Sequence, residues 1–100
     1  VLDSLTGLLN HTRILEHCSL EIARSERSHL PLSLVMIDID HFKKINDQYG
    51  HPVGDNVIKQ LSRLLKQRFR KSDSIGRYGG EEFAILLPQT AASSILPLLN

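Results

Sequence analysis

The sequence predicts an α/β sandwich in which a mostly antiparallel central sheet is flanked by helices. Three observations predict it. Two long segments carry apolar residues at helical spacing, and two short runs, Leu34-Val35-Met36-Ile37 and Phe83-Ala84-Ile85-Leu86-Leu87, are continuously apolar, as buried strands are. Gly79-Gly80 lies between a strand-like segment and the second run, where a tight turn would make antiparallel neighbours. The 100 residues are at most one domain, and a chain this size buries roughly two-thirds of its unfolded surface, enough for one modest core.

The first helix is expected over residues 10–28, where Ile14, Leu15, Cys18, Ile22 and Ala23 recur at helical spacing and Glu16, Glu21, Arg24 and Glu26 fall mostly elsewhere. Asn10 or Thr12 can cap it, and Ser28-His29-Leu30-Pro31 breaks it before a strand at about 32–38. His41 to Gln48 reads as a short helix, with Asp40 as its plain N-cap, ended by Tyr49-Gly50-His51-Pro52. Pro52 suits the start of a longer helix whose stripe is Val57, Ile58, Leu61, Leu64, Leu65 and Phe69. Its basic C-terminal end, Lys66 to Lys71, suits the helix dipole. Ser72 to Tyr78 and Glu82 to Leu87 read as two strands of a hairpin that Pro88 ends. Thr90 can cap a last helix through Ala91, Ala92, Ile95, Leu96 and Leu98, which Pro97 limits. Cys18 reads as a small core residue.

Twelve Lys and Arg against eleven Asp and Glu leave a formal net charge of +1. No global field draws such a chain to nucleic acid or to an anionic membrane, so charge must act locally. The lone Cys18 allows no internal disulfide and no cysteine metal site, which fits a reducing, cytoplasmic setting. No apolar stretch reaches the roughly eighteen residues of a membrane span, so any membrane anchor would lie outside this piece. The histidines His11, His17, His29, His41 and His51 lack zinc-ligand spacing and read as solvated or turn-packing residues.

The chemistry is carried by acids at strand ends. Leu34 to Ile37 delivers Asp38 to a sheet edge, and Gly79-Gly80 precedes Glu81-Glu82. If the two strands are neighbours, Asp38 and Glu81 converge. Hard oxygen ligands in that arrangement favour Mg²⁺ or Mn²⁺, and Mg²⁺ usually completes its shell with substrate phosphates. Taken singly, these acids also fit structural turns, and Asn46 and Asp55 fit a helix-surface amide and a first-turn carboxylate.

Three blocks in order resemble the GGDEF domains, which are diguanylate cyclases in their active form. They are Asp3-Ser4-Leu5-Thr6-Gly7-Leu8-Leu9-Asn10, then Asp38-Ile39-Asp40-His41-Phe42-Lys43-Lys44-Ile45-Asn46-Asp47 continuing to Gly54-Asp55, and Arg77-Tyr78-Gly79-Gly80-Glu81-Glu82-Phe83. The resemblance implies a palm-like fold of the kind shared with nucleotide cyclases and polymerases. It implies that two GTP molecules, one on each of two facing domains of a homodimer, condense into cyclic di-GMP and two pyrophosphates. By similarity Asp38, Glu81 and the Ile39 carbonyl bind the metals, Glu82 is a second carboxylate on the metal side, and Glu81 aids deprotonation. Amides around His41 and Phe42 and the Lys43 side chain lie near the phosphates, Asn46 and Asp55 read the guanine edge, and Gly79 and Gly80 let the turn approach the ligand. Arg70-Lys71-Ser72-Asp73 is similar to the family's Arg-x-x-Asp inhibitory motif, in which Arg70 and Asp73 would grip product. The resemblance also implies a sensory or input domain N-terminal to the chain.

Two departures follow from the comparison with the family pattern. The leading block usually ends in Asn-Arg, and here it is Asn10-His11, which removes a cationic contact at the domain entrance. Members also run on beyond the position of Asn100 with further strands, a last helix and the lysine and arginine that clamp the triphosphate, so residues 1–100 are expected to be a partial domain with an incomplete site. The alternative reading is a non-catalytic member that binds GTP or cyclic di-GMP as a regulatory module, whose usual sign, loss of the signature carboxylates, is absent here.

Overall fold

The computed structural model describes residues 1–94. The chain runs through α1 (His11–Ser28), β1 (Leu32–Asp38), α2 (Phe42–Tyr49), α3 (His51–Arg68), β2 (Ser74–Arg77) and β3 (Glu82–Pro88), then a single 3-10 turn at Ala92–Ser94. Asn10 caps α1 by accepting the Arg13 N–H at 2.9 Å, and the helix closes at His29, whose left-handed backbone (φ 59°) lets its N–H reach the Ser25 carbonyl. Gly50 separates α2 from α3 at φ 90°, a conformation that costs a glycine nothing, and Pro52 sits in the first turn of α3. No helix among the described residues is long and apolar enough to cross a membrane.

The sheet is antiparallel throughout, in the order β1-β3-β2. β3 is central, and all of Phe83 to Leu87 is buried, which explains why its sequence is apolar without alternation. Phe83, Ile85 and Leu87 point to one face and join Leu8, Ile58, Leu65 and Phe69 in the core, with Val35, Ile37, Ile39 and Phe42 packed against it. Gly76, paired with Ala84, faces the other way, toward α1. A Cβ on Gly76 would stand 2.6 Å from the Ile14 Cβ, so glycine is what lets α1 seat its fully buried Ile14 on the sheet. Each fully buried side chain of this size stabilises the fold by about 1.5–3 kcal/mol. Helices therefore cover both faces, as the sandwich reading expects.

Several local expectations are corrected. Among the described residues β1 is an edge strand rather than a buried one: Leu34 and Met36 stand about half exposed because α1 lies mainly over β2. For the same reason Leu15 and Ile22 of the α1 stripe are 44% and 51% exposed, and Cys18 is only partly buried. Asp40 does not cap α2. His41 occupies the cap position in left-handed backbone (φ 56°), no side chain caps the helix, and the Asp40 side chain is 96% exposed. Among the described residues Thr90 caps no helix either. It is buried in the seam between strand ends, where its carbonyl accepts the Ser33 hydroxyl at 2.7 Å and its own hydroxyl takes a bond from Arg70. The expected last helix from Ile95 onward lies outside the described residues.

Candidate active site

The β1–β3 register sets Asp38, the last residue of β1, opposite Glu82, the first of β3, and the Ile39 N–H donates to the Glu81 carbonyl at 3.2 Å. Three carboxylates thus share one end of the sheet. None of them forms an ion pair among the described residues. The oxygen donors available here, carboxylates and the backbone carbonyl of Ile39, are of the hard type that Mg²⁺ or Mn²⁺ takes. Among the described residues no three acid or histidine side chains are gathered into a coordination cage.

The two signature glycines differ from each other. Neither takes left-handed backbone, so the hairpin is not the primed tight turn that a Gly-Gly pair suggests. The Glu82 carboxylate folds over Gly79, where any Cβ would collide with it. Gly80 opens on empty space, with nothing within 4 Å of where its Cβ would be. A Cβ on Gly79 would displace only the free end of the Glu82 side chain, and one on Gly80 would meet nothing.

Beside the carboxylates, α2 begins with no side-chain cap and with exposed His41 and Lys43 at its start. An uncapped helix start offers unpaired N–H donors and the positive end of the helix dipole, both of which favour an anion. Further along α2, Asn46 packs against Gly54 of α3 so closely that any Cβ at position 54 would overlap its amide. The Asn46 Oδ1 is buried there without a partner. Asp55 follows Gly54 on α3 and is exposed.

Arg70 and Asp73 meet elsewhere, in the turn between α3 and β2. The Asp73 carboxylate is fully buried and accepts the Arg70 backbone N–H at 2.8 Å and Nη2 at 3.0 Å. Nη2 also donates to the Thr90 hydroxyl at 2.7 Å and the Pro88 carbonyl at 3.3 Å. Asp73 is therefore spent on holding Arg70, whose side chain stays 55% exposed. It borders a cavity of about 320 Å³ that Arg24, Ser25, Leu30 and Gln89 also line.

Two residues of the matched blocks have partners that sequence reasoning missed. Arg77 donates from Nη1 to both Asp3 oxygens at 3.2 and 3.3 Å, and from Nη2 and Nε to the Gly80 carbonyl at 2.8 and 3.2 Å. The N-terminal segment is thereby tied to the signature turn, and opposite charges in the first and last blocks were the available signal. Burial raises the pKa of the Asp3 carboxyl, but bonds from the Thr6 hydroxyl and N–H and the Arg77 guanidinium outweigh it and hold the value below the ordinary 3.8. A carboxyl depressed in the fold stabilises it above the unfolded value, and that contribution is lost as pH falls through the folded value. Asp3→Asn is expected to lower stability at pH 7 and to weaken the acid dependence below about pH 4. Urea midpoints over a pH series check this, and parallel curves for parent and variant would remove Asp3 from the account.

The profile described as "Diguanylate cyclase, GGDEF domain" matches residues 1–99. The chain is 46% identical over 98 residues to the diguanylate cyclase DgcP of Pseudomonas aeruginosa, covering 98% of this chain and 15% of that protein. It is 40% identical over 95 residues to the diguanylate cyclase DosC of Escherichia coli, covering 95% of this chain and 21% of that one. Among solved structures, the GGDEF domain of DgcB from Caulobacter crescentus in complex with c-di-GMP superposes with a TM-score of 0.94 at 36% identity, over 98% of this chain and 56% of that one. Diguanylate cyclase SiaD of Pseudomonas aeruginosa, in complex with its activator SiaC, gives 0.94 at 43% identity, over 98% and 38%. The chain thus spans only a minor part of the length of the curated relatives it matches.

Proposed function

The chain belongs to the GGDEF family of diguanylate cyclase domains, and on that premise we propose that it is the metal- and guanine-binding part of an active cyclase that condenses two GTP into cyclic di-GMP. The observation that carries this reading is the β1–β3 register, which sets Asp38 opposite Glu82 and puts Glu81 beside Ile39, next to the uncapped start of α2. In each of two steps the ribose 3′-oxygen of one GTP attacks the α-phosphorus of the other. The new P–O bond forms as the bond to the β-phosphate oxygen breaks, pyrophosphate leaves, and the hydroxyl proton passes to a base. Catalysis of this kind is mostly positioning and electrostatics.

Asp38, Glu81 and the Ile39 carbonyl would hold Mg²⁺ or Mn²⁺, which when bound polarises phosphoryl oxygens and neutralises charge on the leaving group. Glu81 takes the proton of the attacking hydroxyl. Glu82 adds a second carboxylate on that side, lying over Gly79. The first N–H groups of α2, with Lys43, bind phosphate oxygens. Gly80 leaves the space in which the nucleotide lies. Asn46 and Asp55 read guanine, whose N1–H and N2 amine need acceptors and whose ring offers one in return. Since each domain carries one substrate, a homodimer is required in the cytoplasm, and an N-terminal sensory or input domain would set when the halves meet.

The test uses the natural full-length protein with GTP and Mg²⁺, with nucleotides separated chromatographically. Cyclic di-GMP with two equivalents of pyrophosphate is expected. A folded, dimeric protein that binds GTP or cyclic di-GMP without turnover would make it a regulatory module instead. Product control is proposed to act through Arg70, whose half-exposed guanidinium is the part of its pair with Asp73 that a ligand can reach. Arg70→Ala should relieve inhibition by cyclic di-GMP, shifting the half-inhibitory concentration by about tenfold or more, as loss of a charge-assisted bond would. An unchanged inhibition curve would remove this site.

A further inference from the structure

We infer that His11, the first residue of α1, is a positioning residue for the signature turn, holding the Tyr78–Gly79 peptide so that Glu81 and Glu82 stay in register with Asp38. This rests on the cyclase reading for its catalytic consequence and on geometry alone for the contact. The His11 Nδ1 lies 2.6 Å from the Tyr78 carbonyl oxygen, and its ring centroid is 4.5 Å from that of Tyr78 at an interplanar angle of 41°. A carbonyl only accepts, so Nδ1 carries the proton.

The carbonyl that His11 holds belongs to the same planar unit as the Gly79 N–H, which donates to the Glu82 carbonyl at 3.2 Å. The Tyr78 N–H reaches the same Glu82 carbonyl at 2.8 Å. The peptide is therefore tethered on both edges, by β3 on one and by α1 on the other. The following carbonyl but one, that of Gly80, is held by Arg77. With the α1 tether cut, the peptide can rotate, and rotation moves Gly79 from beneath the Glu82 carboxylate that folds over it. Of the groups expected to bind GTP, the start of α2, Asn46 and Asp55 lie on other elements and do not depend on this bond; only Gly79 and Gly80 sit in the tethered turn, and they offer the ligand no side chain.

The consequence is a separation of kinetic effects. In the natural full-length protein His11→Ala should lower kcat about tenfold, as loss of one hydrogen bond that orients reacting groups would, with KM for GTP within about twofold. His11→Gln, which restores a side-chain donor, should recover most of the rate. Hydrogen–deuterium exchange over residues 78–82 should accelerate in His11→Ala and return toward the parent in His11→Gln, with melting temperatures unchanged. Parent-like kcat and parent-like exchange in His11→Ala would overturn the inference, and so would a rise in KM alone or a failure of His11→Gln to restore exchange. If the parent forms no cyclic di-GMP, the cyclase reading fails separately and the exchange pattern still decides the role of His11.

Discussion

Replacing Glu81 with Gln in the natural full-length protein is expected to abolish cyclic di-GMP formation while leaving the fold intact. The substitution keeps shape and removes charge. Glu81 serves the fold through its backbone, by accepting the Ile39 N–H at 3.2 Å, and glutamine preserves that bond. Its side chain takes part in no ion pair among the described residues, so no buried partner is orphaned. The expected loss is confined to the reaction. Removing the carboxylate proposed to hold a divalent ion and take the attacking proton would forfeit several kcal/mol of transition-state stabilisation, and at about 1.4 kcal/mol per factor of ten the rate should fall by roughly a thousandfold or more. Product measured by chromatography, beside an unchanged melting temperature, checks this. Turnover within tenfold of the parent would exclude Glu81 from the chemistry.

Gly54→Ala is expected to weaken GTP binding and stability together. A Cβ at position 54 overlaps the Asn46 amide and stands 3.2 Å from the end of the Phe42 ring. Gly54 is buried and sits inside α3, so neither backbone nor solvent offers an easy escape. Either the amide swings away or α2 lifts from α3. The first would displace the proposed guanine contact, and the second would also disturb the helix whose start is expected to bind phosphates. Overpacking of this kind costs about 1–3 kcal/mol. A lost hydrogen bond to the base adds roughly tenfold or more to KM for GTP. Denaturant midpoints and nucleotide titrations separate the two effects. Parent-like KM in a destabilised variant would show that Asn46 packs the helices without reading the base.

Most of the fold was legible in the sequence because its signals are local. The α3 stripe, the capped start of α1 and the unbroken apolar run of β3 each follow from residues within a few positions of one another, and each element formed within a few residues of its expected limits. The ordered blocks around Asp38, Asn46 and Glu81 were legible for the same reason. Two errors fall where a residue has two local options, and the others, the exposure of Leu34, Met36, Leu15 and Ile22, follow from where α1 seats on the sheet. Asp40 could cap α2, yet the chain turns at His41 in left-handed backbone instead. Thr90 could cap a helix, yet it closes the seam with Ser33 and Arg70.

By itself the sequence determined the type of the elements from α1 to β3, the family, and the acids and amides available for chemistry, since periodicity, turn residues and motif spacing act along the chain. Tertiary structure decided which of them meet. Asp3 reaches Arg77 across 74 positions, His11 reaches Tyr78 across 67, and Asn46 finds Gly54 only because two helices cross there. Such contacts depend on how helices seat on a sheet, a choice set by side-chain volume and close approach at positions such as Gly76 and Gly54, and no pattern within one segment encodes it.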